Sequence, residues 1–306
     1  YHSNIVGCEF SNPDNFIERI TEKFKTLFVQ SGDMGSFYNI NSGLDCAIWD
    51  LFAKNQKLPL NKLLNPDSKN DISVYASGIN PSQSHEQIAV AKSMGIKAFK
   101  VKIGFNHSLD IDLLESLDNY FTNDEMMMLD VNQGWNFQEA AKYLKILEDY
   151  NFSWIEEPIS ALSSQAEIKN IIKSTSCDLA FGENITSFDE FISLSQNNKS
   201  KYIQPDLTKY GGISLINNLS KKIQNNKIWL HFLGGSVGLL TSAHIMAAIN
   251  PSAYLETDIN INPLRTSVLK NELNIENGKI HINDDYGIGG PLNFDTVNKY
   301  LVLSNA

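Results

Sequence analysis

Seven residues capable of acid–base or metal chemistry recur along the chain at nearly one interval: Lys102, Asp130, Glu156, Glu183, Asp206, His231 and Glu256. Successive members lie 28, 26, 27, 23, 25 and 25 residues apart. That interval is about one strand–helix unit of a parallel barrel, whose eight units take roughly 250 residues. Most of the seven directly follow a short apolar run, where a strand would end. The C-terminal tip of each strand is where such a barrel carries its chemistry.

The residue types sort into roles. Asp130, Glu156 and Glu183 come from three consecutive strand ends, and converging carboxylates repel unless a cation joins them. Mg²⁺ suits such a set, because it takes a few carboxylate oxygens and keeps positions for water or substrate. A lone Asp after a strand reads as a helix cap, and a lone Glu as a surface charge. Three in successive units read as a metal cradle. Asn132, two residues beyond Asp130, falls on the same strand face and could support a metal-bound group.

Lys100 and Lys102 share one strand face. Two close ammonium groups lower each other's pKa, so Lys102 is expected to act as a general base with Lys100 as its helper. Asp206 and His231 end two adjacent strands, and a carboxylate on one imidazole nitrogen would fix the tautomer and leave the other for proton transfer. His244, in mid-helix, reads as structural.

Bulk properties narrow the class. The 306 residues allow one large domain, or a large and a small one. A hydrophobic share of 42% with 20% charged residues is that of a soluble enzyme. A net charge of -10 argues against a nucleic-acid partner. No apolar run approaches membrane-spanning length. Cys8, Cys46 and Cys177 are too few and too scattered for a disulfide framework, so a reducing cytoplasmic setting is expected. The chain opens Tyr-His-Ser-Asn, and a natural N-terminus upstream of it is expected.

Apolar periodicity predicts helices over 14–28 and 41–54, followed by LPLNKLLNP, which ends the element. From Asp71 short strands alternate with amphipathic helices, the pattern of βαβ units. Strands are predicted at 72–76, 98–103, 126–131, 153–155, 179–181, 202–203, 228–230 and 253–255. Helices predicted between them include 84–94, 137–150, 212–224 and 237–249. Residues 1–70 thus form a helical part, 71–283 an α/β barrel, and 284–306 a tail that opens with the Gly-rich DDYGIGGP and runs back over the structure.

The segments KVKIG (100–104), DVNQGW (130–135), WIEEP (154–158), GEN (182–184), PDLTKYGG (205–212), HFLGGSVGL (231–239) and LETD (255–258) together resemble the enolase superfamily, and within it the mandelate racemase subgroup. The helical SGLDCAIWDLFAKNQKLPLNKLL (42–64) is similar to helices of that family's capping domain. The resemblance implies a (β/α)₇β barrel of TIM type under an α+β capping domain whose N-terminal strands are expected to be missing here. It implies Mg²⁺ on Asp130, Glu156 and Glu183, with Glu157 as the adjacent, non-ligating acid. Lys102 and the Asp206–His231 pair become bases on opposite substrate faces, and Glu256 a protonated carboxyl that bonds an enediolate. The muconate-lactonizing and dipeptide-epimerase subgroup looks to carry a second lysine base at the position of Asp206, so an Asp there, with His231 one strand later, favours the mandelate racemase subgroup. Lys209 matches no catalytic position and is left to contact substrate or solvent.

Chemistry of this kind removes a proton α to a carboxylate, with preorganised positive charge meeting the developing negative charge. The expected reaction is dehydration of an acid sugar to a 2-keto-3-deoxy acid by a homo-oligomeric enzyme. Racemisation or epimerisation of an α-substituted carboxylate by Lys102 and His231 is the alternative, and an inactive fragment or ligand-binding relic of the fold is the third.

Overall fold

The computed structural model describes residues 2–118, 120–224 and 227–302. After the short helix α1 (His2–Ile5), Asn12 opens α2 (Pro13–Ser31) by accepting the Asn15 N–H, and Pro13 occupies the first turn, where no donor is needed. Gly32, at φ 73°, closes α2 in the left-handed conformation that glycine adopts without strain. Asp33 then caps α3 (Met34–Asn55) by accepting from Ser36 N–H, and α4 (Leu60–Leu64) follows. Phe16, Ile17, Ile20 and Ile48 form a small apolar cluster between α2 and α3.

The alternating part runs β1 (Asp71–Ile79), α5 (Ser84–Ser93), β2 (Ala98–Lys102), α6 (His107–Asp118), β3 (Met126–Asp130), α7 (Phe137–Leu147) and β4 (Ile155–Glu156). It continues with α8 (Gln165–Ser174), β5 (Leu179–Phe181), α9 (Phe188–Ser195), β6 (Ser200–Ile203), α10 (Gly212–Ser220), α11 (Ser236–Ile249) and β7 (Tyr254–Asp258). Capping boxes of Asn136 with Glu139, and Ser164 with Glu167, start α7 and α8. Neighbouring strands from β1 to β6 pair in parallel, and β1 also pairs in parallel with β7, so the last strand meets the first as barrel closure requires. The strand predicted at 228–230 is reduced to a single parallel bridge, Ile203 to Ile228.

One hairpin was not anticipated. After α12 (Pro263–Thr266), β8 (Ile275–Glu276) and β9 (Lys279–His281) pair across Asn277–Gly278, both at positive φ, and β9 adds antiparallel to β1. An Asn-Gly pair between short apolar-containing runs is a strong local hairpin signal. It could have been read from the sequence.

The tail, which includes α13 (Phe294–Tyr300), packs on the helical layer. Gly287 N–H bonds Leu58 O, Leu60 N–H bonds Gly287 O, and Ile288 N–H bonds an Asp50 carboxylate oxygen. Residues 303–306 of the tail lie outside the described residues. His244, on α11, is buried and ties three parts together. Its Nδ1 accepts the Asn61 N–H at 3.2 Å, which leaves Nε2 to donate to Ile288 O at 3.0 Å. Its structural role was foreseen from its place in mid-helix. Cys8, Cys46 and Cys177 are all free thiols. Among the described residues no helix is long and apolar enough to cross a membrane.

Inward-facing residues build two layers below the mouth of the barrel. The lower is aromatic: Trp154 packs on Tyr202 at 4.4 Å and on Trp229 at 5.2 Å between ring centroids. The upper is polar. It holds Lys100, Glu156, Gln204 and Glu256, each buried and each two residues or fewer from its strand's C-terminal end.

Candidate active site

Register brings the sequence-spaced residues together. Lys102 of β2 lies beside Asp130 of β3, and Asp130 lies beside Glu156 of β4. Glu183 follows β5, Asp206 follows β6, His231 follows the Ile228 bridge, and Glu256 stands on β7. Going round the barrel from β2 to His231, β1 and β7 intervene on one side and β3 to β6 on the other. Lys102 and His231 therefore face one mouth from well-separated directions.

Lys102 is the accessible lysine, with one-fifth of its side chain exposed. Its Nζ donates to Asn132 Oδ1 at 2.7 Å and to Asp130 Oδ2 at 3.3 Å. Lys100 has a different setting from the one its spacing suggested. Its Nζ is buried 2.6 Å from Glu156 Oε1 and 2.7 Å from Glu256 Oε1. Burial alone would lower its pKa, but the two glutamates raise it well above the usual lysine value. Lys100 is thus a buried ammonium shared by two acids, Glu156 and Glu256.

Asp206 Oδ2 lies 2.8 Å from His231 Nδ1, the bond the sequence led us to expect. The ionised carboxylate can only accept, so Nδ1 carries a proton. His231 Nε2 lies 2.5 Å from Glu183 Oε2 and 3.9 Å from Glu256 Oε2. Burial works to lower the His231 pKa, but Glu256, Asp206 and Glu183 outweigh it and raise it to about 10. The resemblance implied a protonated Glu256. Here Lys100 and His231 outweigh burial and hold its pKa below the ordinary value, and its Oε2 accepts the Phe232 N–H at 3.1 Å.

Glu157 is buried and raised to about 7, first by burial and then by Glu183. Asn184 Nδ2 bridges it to Glu183, donating to Glu157 Oε2 and Glu183 Oε1 at 2.8 Å each. Lys209, the most exposed of these cations, lies 3.8 Å from Glu183 Oε2. Two supporting residues escaped the sequence reading: Asn184, within the GEN segment, and Gln204. Gln204 Nε2 donates to Glu156 Oε2 at 2.7 Å. Its position two residues after Tyr202, on the same strand face, was the available signal.

Asn132 (φ 53°), Gln133 (φ 64°) and Glu157 (φ 39°) all hold left-handed backbone conformations. Gln133 N–H bonds Glu157 O at 2.8 Å and so ties the two loops to each other. Strain of roughly 1–3 kcal/mol per such residue persists only where surroundings enforce it, and it collects at functional sites.

The side chains do not converge into a ligand shell as they stand. Among the described residues no group of three or more His, Cys, Asp or Glu is arranged to hold a metal ion. The physical reason is pairing: Glu183 turns to His231, Glu156 to Lys100 and Asp130 to Lys102. The donor set itself suits a hard divalent cation. It offers only oxygens, and the crowded carboxylates are short of positive charge. Glu156 is raised to about 8 by burial and by Asp130, Glu256 and Glu183, against the pull of Lys100. On these grounds Asp130, Glu156 and Glu183 fit Mg²⁺.

Residues 83–296 match the family described as enolase C-terminal domain-like. L-talarate/galactarate dehydratase of Salmonella typhimurium is 29% identical over 283 residues, which cover 90% of this chain and 68% of that enzyme. A mandelate racemase/muconate lactonizing enzyme from Bordetella bronchiseptica superposes with a TM-score of 0.87 at 28% identity, over 97% of this chain and 83% of that one. An enolase from Bradyrhizobium complexed with magnesium and mandelic acid gives a TM-score of 0.80 at 25% identity, over 95% and 78% of the two chains. Other relatives are named as cycloisomerases, epimerases and racemases.

Proposed function

This chain belongs to the enolase superfamily as a lyase or isomerase, and we propose that it removes the α-proton of a small carboxylate and most readily dehydrates an acid sugar to a 2-keto-3-deoxy acid. The observation that carries the reading is the placing of Lys102 and the Asp206–His231 pair on separated sides of one carboxylate-lined mouth. Asp130, Glu156 and Glu183 would hold Mg²⁺. When bound, it supplies positive charge for the substrate carboxylate as the α-proton leaves.

The chain's own residues supply the proton steps. Lys102 takes the α-proton while His231 starts as the imidazolium, or His231 takes it when its Nε2 is released from Glu183 and unprotonated, and an enediolate forms. His231 Nε2 then gives a proton to the β-hydroxyl, which departs as water, and the enol tautomerises to the keto acid. Asp206 keeps the imidazole oriented throughout. Lys100 remains charged, so the buried Glu156 and Glu256 never face each other uncompensated. The dehydratase name of the Salmonella relative supports loss of water as the outcome. The magnesium and mandelic acid of the Bradyrhizobium neighbour support the metal and a carboxylate substrate.

A second reading rests on the same opposed pair. With no leaving group at the β-carbon, Lys102 and His231 would interconvert stereoisomers, as the relatives named epimerases and racemases do by their names. Incubation with Mg²⁺ and a library of acid sugars, including L-talarate and galactarate, followed by proton NMR in D₂O, separates the two. Keto-acid formation is expected. Deuterium entering the α-carbon without keto acid would replace dehydration by racemisation, and neither event across the library would overturn α-proton abstraction.

A further inference from the structure

We infer that Asp45, in the helical layer, is a positioning residue for the Asp206–His231 pair and acts through the loop from Asp206 to Gly212. The inference rests on the reading that this pair moves the substrate proton.

Asp45 lies on α3 and is 1% exposed, an expensive place for a carboxylate without partners. Its partners belong to the barrel. Oδ1 accepts the backbone N–H of Ser214 at 3.0 Å. That donor lies in the first turn of α10, where no intrahelical acceptor exists. Gly211 caps that helix with no side chain of its own. Its role passes to a residue more than 160 positions earlier. Gly211 and Gly212 hold φ 75° and 62°, and a Cβ on Gly212 would fall on the Asp45 carboxylate, so the loop packs directly against this side chain.

The other end of the same loop is Asp206. Its Oδ1 accepts the Thr208 N–H at 2.7 Å and the Thr208 hydroxyl at 2.6 Å, and Lys209 N–H lies at 3.3 Å. That leaves Oδ2 for His231. In mid-loop, Tyr210 meets Tyr38 of α3 edge to face at 4.9 Å. The Trp49 indole N–H donates to Ser214 Oγ at 2.9 Å. The loop is therefore tied at one end to α3 and at the other to the imidazole. A shift at Asp45 has a short, stiff route to the His231 bond.

The test reads that bond directly. The His231 Nδ1 proton held by Asp206 gives a proton resonance far downfield, which can be followed in the full chain with no substrate and assigned by its loss in Asp206→Ala. Asp45→Ala is expected to shift or broaden the resonance while the chain stays folded by circular dichroism. Asp45→Asn, which keeps an acceptor for the Ser214 N–H, is expected to restore it. If Asp45→Ala does not fold, Gly212→Ala, whose Cβ displaces the carboxylate, serves as the second variant. An unmoved resonance in a folded variant of either kind overturns the inference. Full keto-acid formation by His231→Asn would instead defeat the functional reading and leave the coupling of Asp45 to Asp206 intact.

Discussion

The Lys100 ammonium lies 2.6 Å from the Glu156 carboxylate, with both side chains almost wholly out of solvent. A second acid, Glu256, stands 2.7 Å from the same nitrogen. Breaking such an arrangement from one side leaves uncompensated buried charge, at a cost of about 3–5 kcal/mol. Lys100→Met is expected to lose that much stability in urea denaturation. Lys100→Met combined with Glu156→Gln should lose less than the two single losses added together. Full additivity would show that the pair is not coupled.

His231 and Lys102 should separate in isotope exchange. His231→Asn is expected to slow turnover by about 10²–10⁴-fold, the usual worth of a general acid or base. Exchange of the α-proton with D₂O should persist for the stereoisomer that presents its proton to Lys102. Loss of exchange for both stereoisomers would mean that the two groups do not act on opposite faces.

Mg²⁺ should stabilise the folded chain, because an ion that binds only the native state raises its melting temperature. The expected outcome is a concentration-dependent rise in Tm that Asp130→Asn and Glu183→Gln each remove. A rise that survives both substitutions would place the ion elsewhere.

Acid should weaken the junction at His244. Burial lowers its pKa to about 4 from an ordinary 6.5, with the Ile288 carbonyl opposing the change. The folded state therefore keeps the ring neutral while the unfolded chain takes up a proton. This contribution is complete above pH 6.5 and declines as pH falls towards 4, to a total of about 3 kcal/mol. Denaturation curves at several pH values check it, and His244→Gln should flatten the slope across this window. An unchanged slope would assign the acid sensitivity to other groups.

Gly287 holds the tail against the helical layer at φ 73°, and an added Cβ would overlap the Asp50 carboxylate. Gly287→Ala is expected to destabilise by more than about 1 kcal/mol, since the left-handed conformation and the overlap both oppose it. Urea denaturation measures it. A neutral result would show that the tail can seat without this contact.

Much of the barrel was legible because its signals are local. Strand tips such as Lys102, Asp130 and Glu183 follow apolar runs, and the interval between them is set by the length of one strand and one helix. The Asp206–His231 bond was legible for the same reason, since adjacent strand ends of matched length must meet. Three features were not. The partners of Lys100 depend on which inward layer each strand contributes to, which spacing alone does not give. The downward shift of the Glu256 pKa depends on those partners in turn. The strand at 228–230 reads as apolar and β-forming, but its pairing with Ile203 shrinks to one bridge, because pairing is decided by neighbours rather than by propensity.

The aromatic layer beneath the site gives the protein a built-in optical probe. Trp154 packs on both Tyr202 and Trp229, which also meet each other, and its indole N–H reaches Glu156 Oε2 at 3.4 Å. Any change in the charge or position of that carboxylate is sensed by a fluorophore a hydrogen bond away. Occupancy of the barrel mouth is thus expected to change intrinsic emission, which a Mg²⁺ titration checks without label or coupled assay. Trp154→Phe would separate that signal from the emission of Trp49, Trp135 and Trp229.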